Sequence, residues 1–123
     1  MTDSERRAVH HSVLANLMFT DKRNIDGQAI ALQAINVAKA RFRSRQFADS
    51  SDVRDGLARV TVPVKSIWGR NDIVAYPHVD ACLDALRVHH PELEYHIIED
   101  AGHWVMYEAA DAFNTALLEL LQN

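Results

Sequence analysis

Val60-Thr61-Val62-Pro63-Val64-Lys65-Ser66-Ile67-Trp68-Gly69-Arg70-Asn71-Asp72 is the stretch on which the reading of this chain turns. Residues 60–69 are β-branched and mostly apolar and stop at a glycine, the composition of a strand. Pro63 falls near its start, where a missing N–H is tolerated. A nearly continuous apolar run suits a parallel strand covered on both faces. Gly69-Arg70-Asn71-Asp72 then forms the loop leaving its carboxyl end.

Downstream the pattern alternates. Val79, Cys82, Leu83 and Leu86 predict an amphipathic helix that closes at His89-His90-Pro91. Glu94 to Glu99 reads as a second short strand, and Asp100-Ala101-Gly102-His103 as the loop after it. Phe113, Ala116, Leu117, Leu120 and Leu121 follow the spacing of a terminal helix. Strand, helix, strand, helix predicts a βαβα unit with a parallel sheet.

Upstream the chain is helical and holds no good strand. Thr2-Asp3-Ser4-Glu5 has the capping-box pattern. Val9, Val13 and Leu17 recur every four residues, which puts them on one face of a helix running to about Phe19. Asp26 predicts the start of a second helix, with Ile25 and Ile30 at the spacing of a hydrophobic staple. That helix is expected to reach about Arg45. Gln46 to Gly56 reads as a connection, with a helical turn near Val53 to Leu57. The boundary is therefore expected between a helical region, 1–57, and a βαβα region, 58–123.

With 123 residues, 48% of them hydrophobic and 24% charged, the chain has the make-up of one soluble globular domain. A net charge of −4 argues against a general nucleic-acid binder. Cys82, the single cysteine, excludes an internal disulfide and fits a reducing compartment. The polar opening MTDSERRAVHH has no apolar core of a secretory signal. No apolar run approaches the roughly 20 residues that span a bilayer. A cytoplasmic protein without nucleic-acid or membrane partners is expected.

In a parallel α/β sheet, sites lie beyond the carboxyl ends of the strands. Both loops named above leave such ends, so Asp72 and His103 are expected to meet. A carboxylate accepting from a histidine Nδ1–H fixes the tautomer and leaves the other nitrogen free as a base. Plainer readings exist. Asp72 also suits a turn or helix cap, and His103 a loop histidine bonded to backbone. Trp68 and Trp104 suit packing, with Trp104 also a candidate to line a substrate pocket. The pairs His10-His11 and His89-His90 diverge on a helix, so no metal site is expected from them. Lys39, Arg41, Arg43 and Arg45 suit a solvated helix end.

The stretch Pro63 to Asp72 resembles the strand and acid loop of the α/β-hydrolases. Ala101-Gly102-His103-Trp104, with Glu108 and Phe113-Asn114 following, resembles the histidine loop and terminal helix of that family. The resemblance covers 58–123 well. Residues 1–57 resemble, less sharply, the helical cap inserted before the acid strand. It implies a partial α/β-hydrolase fold: parallel strands flanked by helices, preceded by a helical cap region. It implies hydrolysis of an ester or related bond in a small molecule, with Asp72 orienting His103 as general base and no cofactor. Trp104 directly after the histidine resembles the branch that hydrolyses carbon–carbon bonds in ring-cleavage products, and related esterases; one tryptophan does not assign that substrate class.

The departure from the family is the nucleophile, which belongs on a G-x-S-x-G elbow before the acid. None of Ser4, Ser12, Ser44, Ser50, Ser51 or Ser66 has that context. Cys82 follows the acid and falls in a predicted helix. The chain is thus expected to be inactive alone and to need an N-terminal core for its small-molecule substrate. The alternative is a non-enzymatic remnant or self-associating module, forming a homodimer through an exposed sheet edge.

Overall fold

A computed structural model of the chain describes residues 1–42 and 51–122. Arg43, Ser44, Arg45 and the part of the predicted connection from Gln46 to Ser50 lie outside the described residues.

Helix α1 spans Asp3–Val13. The Thr2 hydroxyl accepts from the Glu5 N–H, and the Glu5 carboxylate accepts from the Thr2 N–H, so the expected capping box is formed. A π-helical turn, Leu14–Met18, carries the helix on, and the Phe19 N–H reaches back to the Leu14 carbonyl. Of the three residues on the predicted face, Val13 is half-buried. Leu14 is fully buried, whereas Val9 and Leu17 are exposed. Four-residue spacing presumes α-helical periodicity, and the wider turn takes Leu17 out of line with Val9 and Val13. Leu14 and Phe19 instead pack with Ala29 and Ile30, joined by Met18, Ile25, Trp104 and Tyr107.

Helix α2 spans Gly27–Lys39. It ends earlier than predicted, because Ala40 is already extended at φ −61°, ψ 117°. Asp26 is the N-cap, and its carboxylate accepts from the Ala29 N–H at 2.8 Å and the Tyr107 hydroxyl at 2.8 Å. The Ala29 bond first, then Tyr107, holds the Asp26 carboxyl below its ordinary range. A depressed folded-state pKa means this stabilisation is full above the unfolded value, about pH 4, and is lost as acid protonates the folded carboxyl. Asp26→Ala is therefore expected to lower the melting temperature at neutral pH, with the gap to the parent closing in strong acid. Parallel melting curves at the two pH values check this.

Helix α3 spans Asp52–Leu57. Strand β1 spans Lys65–Gly69, α4 spans Val79–Arg87 and β2 spans Glu94–Ile98. The strands pair in parallel, with Lys65 opposite Glu94 and Gly69 opposite Ile98. β1 is half the predicted length. Its partner offers five residues, and Val60 to Val64 face the coil before β2 rather than a ladder. Val79 and Leu83 on α4 form a second core with Ala75 and Leu93, against which Trp68, Cys82, Leu86 and Ile97 pack.

Helix α5 spans Val105–Glu108 and α6 spans Ala110–Gln122. The predicted stripe on α6 is buried only in part. Ala116 and Leu120 are buried, but Leu117 and Leu121 are exposed. Two strands cannot cover the helix. An open hollow of about 350 Å³ is left between β1 and α6, lined by Ser66, Ile67, Met106, Phe113, Leu117 and Leu121 among others. The described residues thus comprise helices and a two-stranded parallel sheet in the order β1-β2. Among them, no helix is long and apolar enough to cross a membrane.

Candidate active site

The register of the sheet sets the geometry. The Arg70 N–H donates to the Ile98 carbonyl at 2.9 Å, and the Asn71 N–H to the Ala101 carbonyl at 2.9 Å. The two loops therefore leave the sheet side by side. Arg70 reinforces them. Its guanidinium bonds Asp80 of α4 at 3.0 and 3.1 Å and Glu99 after β2 at 3.4 Å. Asp80 first, then Glu99, holds its pKa above the ordinary value.

Gly69 lets the loops approach. A Cβ there would run into the carbonyl oxygens of Ala101 and Gly102 and lie 2.7 Å from the Ala101 carbonyl carbon. No described glycine has a positive φ, so Gly69 is needed for space rather than for backbone freedom. Asp100 turns the second loop, at φ 57°, a left-handed conformation that Asp tolerates better than most residues.

Asp72 and His103 meet. His103 Nδ1 lies 2.9 Å from one Asp72 carboxylate oxygen and 3.1 Å from the other. The Asp72 side chain is 6% exposed and that of His103 39%. Asp72 also accepts from the N–H groups of Val74 at 2.9 Å and Ala75 at 3.3 Å. The turn reading and the histidine-partner reading of Asp72 thus hold together: one carboxylate closes its own loop and faces the imidazole. In the neutral ring such a pairing places the proton on Nδ1 and leaves Nε2 free to accept one.

A hollow of about 260 Å³ opens beside the pair, lined by Ala15 to Thr20 with Asn71, Ile73 and Gly102. Asn71 and Ile73 flank the acid, and Gly102 precedes the histidine. A larger hollow of about 430 Å³, lined by 60–64 and 89–93, lies at the opposite ends of the strands. Five residues of strand separate the two ends by about 16 Å, so that hollow is remote from the imidazole. Trp104 does not line the hollow beside the pair. Its ring packs 5.8 Å from that of Phe19 and 6.1 Å from that of Tyr107. Cys82 is no closer to being a nucleophile than its position suggested. Burial, then the charge of Asp72, pushes its thiol up, away from the reactive thiolate.

Glu108 carries more than its sequence showed. Its carboxylate accepts from three backbone N–H groups: Asp21 at 2.6 Å, Gly102 at 2.7 Å and Thr20 at 3.1 Å. Two of those donors lie more than 80 positions away, so no local pattern marks them. His78, which caps α4 by accepting from the Ala81 N–H, and His90, bonded through Nε2 to the Leu57 carbonyl, were likewise silent in the sequence.

No family model matches the chain. It is similar to several curated proteins. It is 35% identical over 79 residues to 2-hydroxy-6-oxononadienedioate/2-hydroxy-6-oxononatrienedioate hydrolase 2 of Pseudomonas putida, covering 64% of this chain and 26% of that protein. It is 39% identical over 71 residues to hydrolase 1 of the same name from Dechloromonas aromatica, covering 58% and 24%. The Klebsiella pneumoniae hydrolase of that name is 38% identical over 65 residues, covering 53% and 22%. The matched part is about a quarter of the length of these relatives. The matches support the α/β-hydrolase resemblance at the level of the superfamily.

Proposed function

We propose that this chain is the acid-and-histidine part of an α/β-hydrolase acting on a small molecule, with residues 1–57 as its cap and 58–123 as the end of its core. The Asp72–His103 pair, built on adjacent parallel strands, carries the reading. The similarity to hydrolases supports it. Asp72 holds His103 with Nδ1 protonated and stabilises the imidazolium once it forms. Nε2 takes the proton from a serine hydroxyl and later delivers it to the leaving group. That serine comes from a segment outside this sequence, since no G-x-S-x-G occurs in it. The hollow beside Asn71 and Ile73 is the substrate's side of the pair. The names of the relatives point to an unsaturated oxo-dicarboxylate as the first substrate class to try, with activated esters as the general probe.

The test is complementation. The 123-residue chain alone is expected to leave an activated ester at its background rate. Co-expression with the N-terminal core of a related hydrolase is expected to give turnover that requires His103. Turnover by the chain alone that survives His103→Ala defeats the proposal.

A second reading rests on the apolar hollow at β1. Its edge, unpaired among the described residues, and the exposed Leu117 and Leu121 suit a second copy of the chain. Sedimentation is expected to show self-association that Leu121→Asp weakens at least about tenfold, the cost of placing a charge in an apolar contact. A monomer at all concentrations removes this reading and leaves the hollow for the N-terminal core.

A further inference from the structure

The helical region and the histidine loop are joined by direct contacts. Gly102 lies flush against the turn after the π-helix, and a Cβ there would fall 2.7 Å from the Met18 carbonyl oxygen and 3.1 Å from the Thr20 nitrogen. The Trp104 N–H donates to the Met18 carbonyl at 2.9 Å. Phe19 fills the angle between Trp104 and Tyr107. Within this contact the half-buried Glu108 carboxylate gathers donors from both sides. One oxygen is shared by Gly102 and Thr20, and the other takes Asp21. Without a carboxylate, three backbone donors would lose their acceptor together. Hydrogen bonds to a charged acceptor are also among the stronger kind.

We propose that Glu108 is the positioning residue for His103, tethering the loop that carries the imidazole to the cap turn at Thr20 and Asp21. This rests on the reading of Asp72 and His103 as a working pair. The residue before His103 is fixed by Glu108, and the residue after it by Met18. The imidazole is thereby held between two anchored neighbours and has one direction in which to meet Asp72. Glu108 itself touches no reacting group.

The experiment is ¹⁵N NMR of the 123-residue chain in alkaline buffer, where imidazoles are neutral, with amide exchange recorded on the same samples. In the parent, His103 is expected mainly as the Nδ1–H tautomer, and the Gly102 and Asp21 amides are expected to be protected. Glu108→Ala is expected to speed exchange of both amides by about 10- to 100-fold. It is also expected to move His103 towards the Nε2–H tautomer. Glu108→Gln keeps an oxygen for Gly102 but can no longer accept from all three donors. It is expected to restore the parental tautomer while the Asp21 amide stays fast. A parental tautomer ratio in Glu108→Ala overturns the proposal, because a purely structural glutamate would leave the ring unchanged. If the alanine variant does not fold, Glu108→Asp, whose shorter side chain withdraws the carboxylate from the three donors, decides: fast Gly102 and Asp21 amides with the ring moved towards the Nε2–H tautomer support the proposal, and a parental ring with those amides fast overturns it. A parental His103 already mixed between tautomers sinks the pairing with Asp72 itself, and the amide data then show separately whether the tether exists.

Discussion

Gly69→Ala is expected to lower the melting temperature of the chain by about 10 °C or more. The added methyl would meet backbone on the neighbouring loop, at Ala101 and Gly102, rather than the end of a mobile side chain. Relief requires the two loops to separate. That movement strains the Arg70 to Ile98 and Asn71 to Ala101 hydrogen bonds, the links that hold the loops together. Overpacking of this kind costs about 3 kcal/mol, at the upper end of the usual range. In a chain of this size, each kcal/mol corresponds to roughly 4 °C. Gly56→Ala is the control. It sits in α3 with nothing within 4 Å of the added atom. Alanine there is expected to be neutral or stabilising by up to about 1 kcal/mol. Thermal melts followed by circular dichroism separate the two. Equal melting temperatures for both variants would show that the loops are not packed as described.

The second large effect is on rate. In the protein completed by an N-terminal core, His103→Ala is expected to cut kcat by about 10⁴- to 10⁶-fold, the range found when the base of a working triad is removed. Asp72→Asn is expected to cost about 10⁴-fold, since an amide in that place no longer fixes the imidazole tautomer. A factor of 10⁴ is about 5.5 kcal/mol of transition-state stabilisation. Neither side chain lines the hollow beside the pair, so KM is expected to move far less than kcat. Steady-state kinetics of the three proteins check both statements. A fall of under about tenfold for either variant would leave Asp72 and His103 as a structural pair, worth no more than a buried hydrogen bond.

Much of this was legible in the sequence because the signals were local. Asp26 caps a helix by bonding a nitrogen three residues on, and the Thr2–Glu5 box closes within one turn. The parallel βαβα order brought Asp72 and His103 to one edge because each loop follows its own strand. What escaped was set by contacts made elsewhere. The length of β1 depends on how much of β2 lies opposite, which the residues of β1 do not encode. Leu14 is buried in a π-turn after α1 that the four-residue spacing of Val9, Val13 and Leu17 does not show. Glu108 suits, from its place in the sequence, a residue that holds its loop or the start of the final helix; its donors at Thr20 and Asp21 become visible only when the chain is folded.

The shared carboxylate has a consequence for engineering. Under the proposed function, a chimera would set the helical region of one parent on the βαβα region of another. Here the seam does not run between those modules, because Met18 to Asp21 and Gly102 to Glu108 are joined as one piece. A transplanted helical region that ends before Met18 retains the host's fit around the imidazole. One that brings its own 18–21 turn must bring a matching glycine and glutamate as well, or the contact around the imidazole is lost.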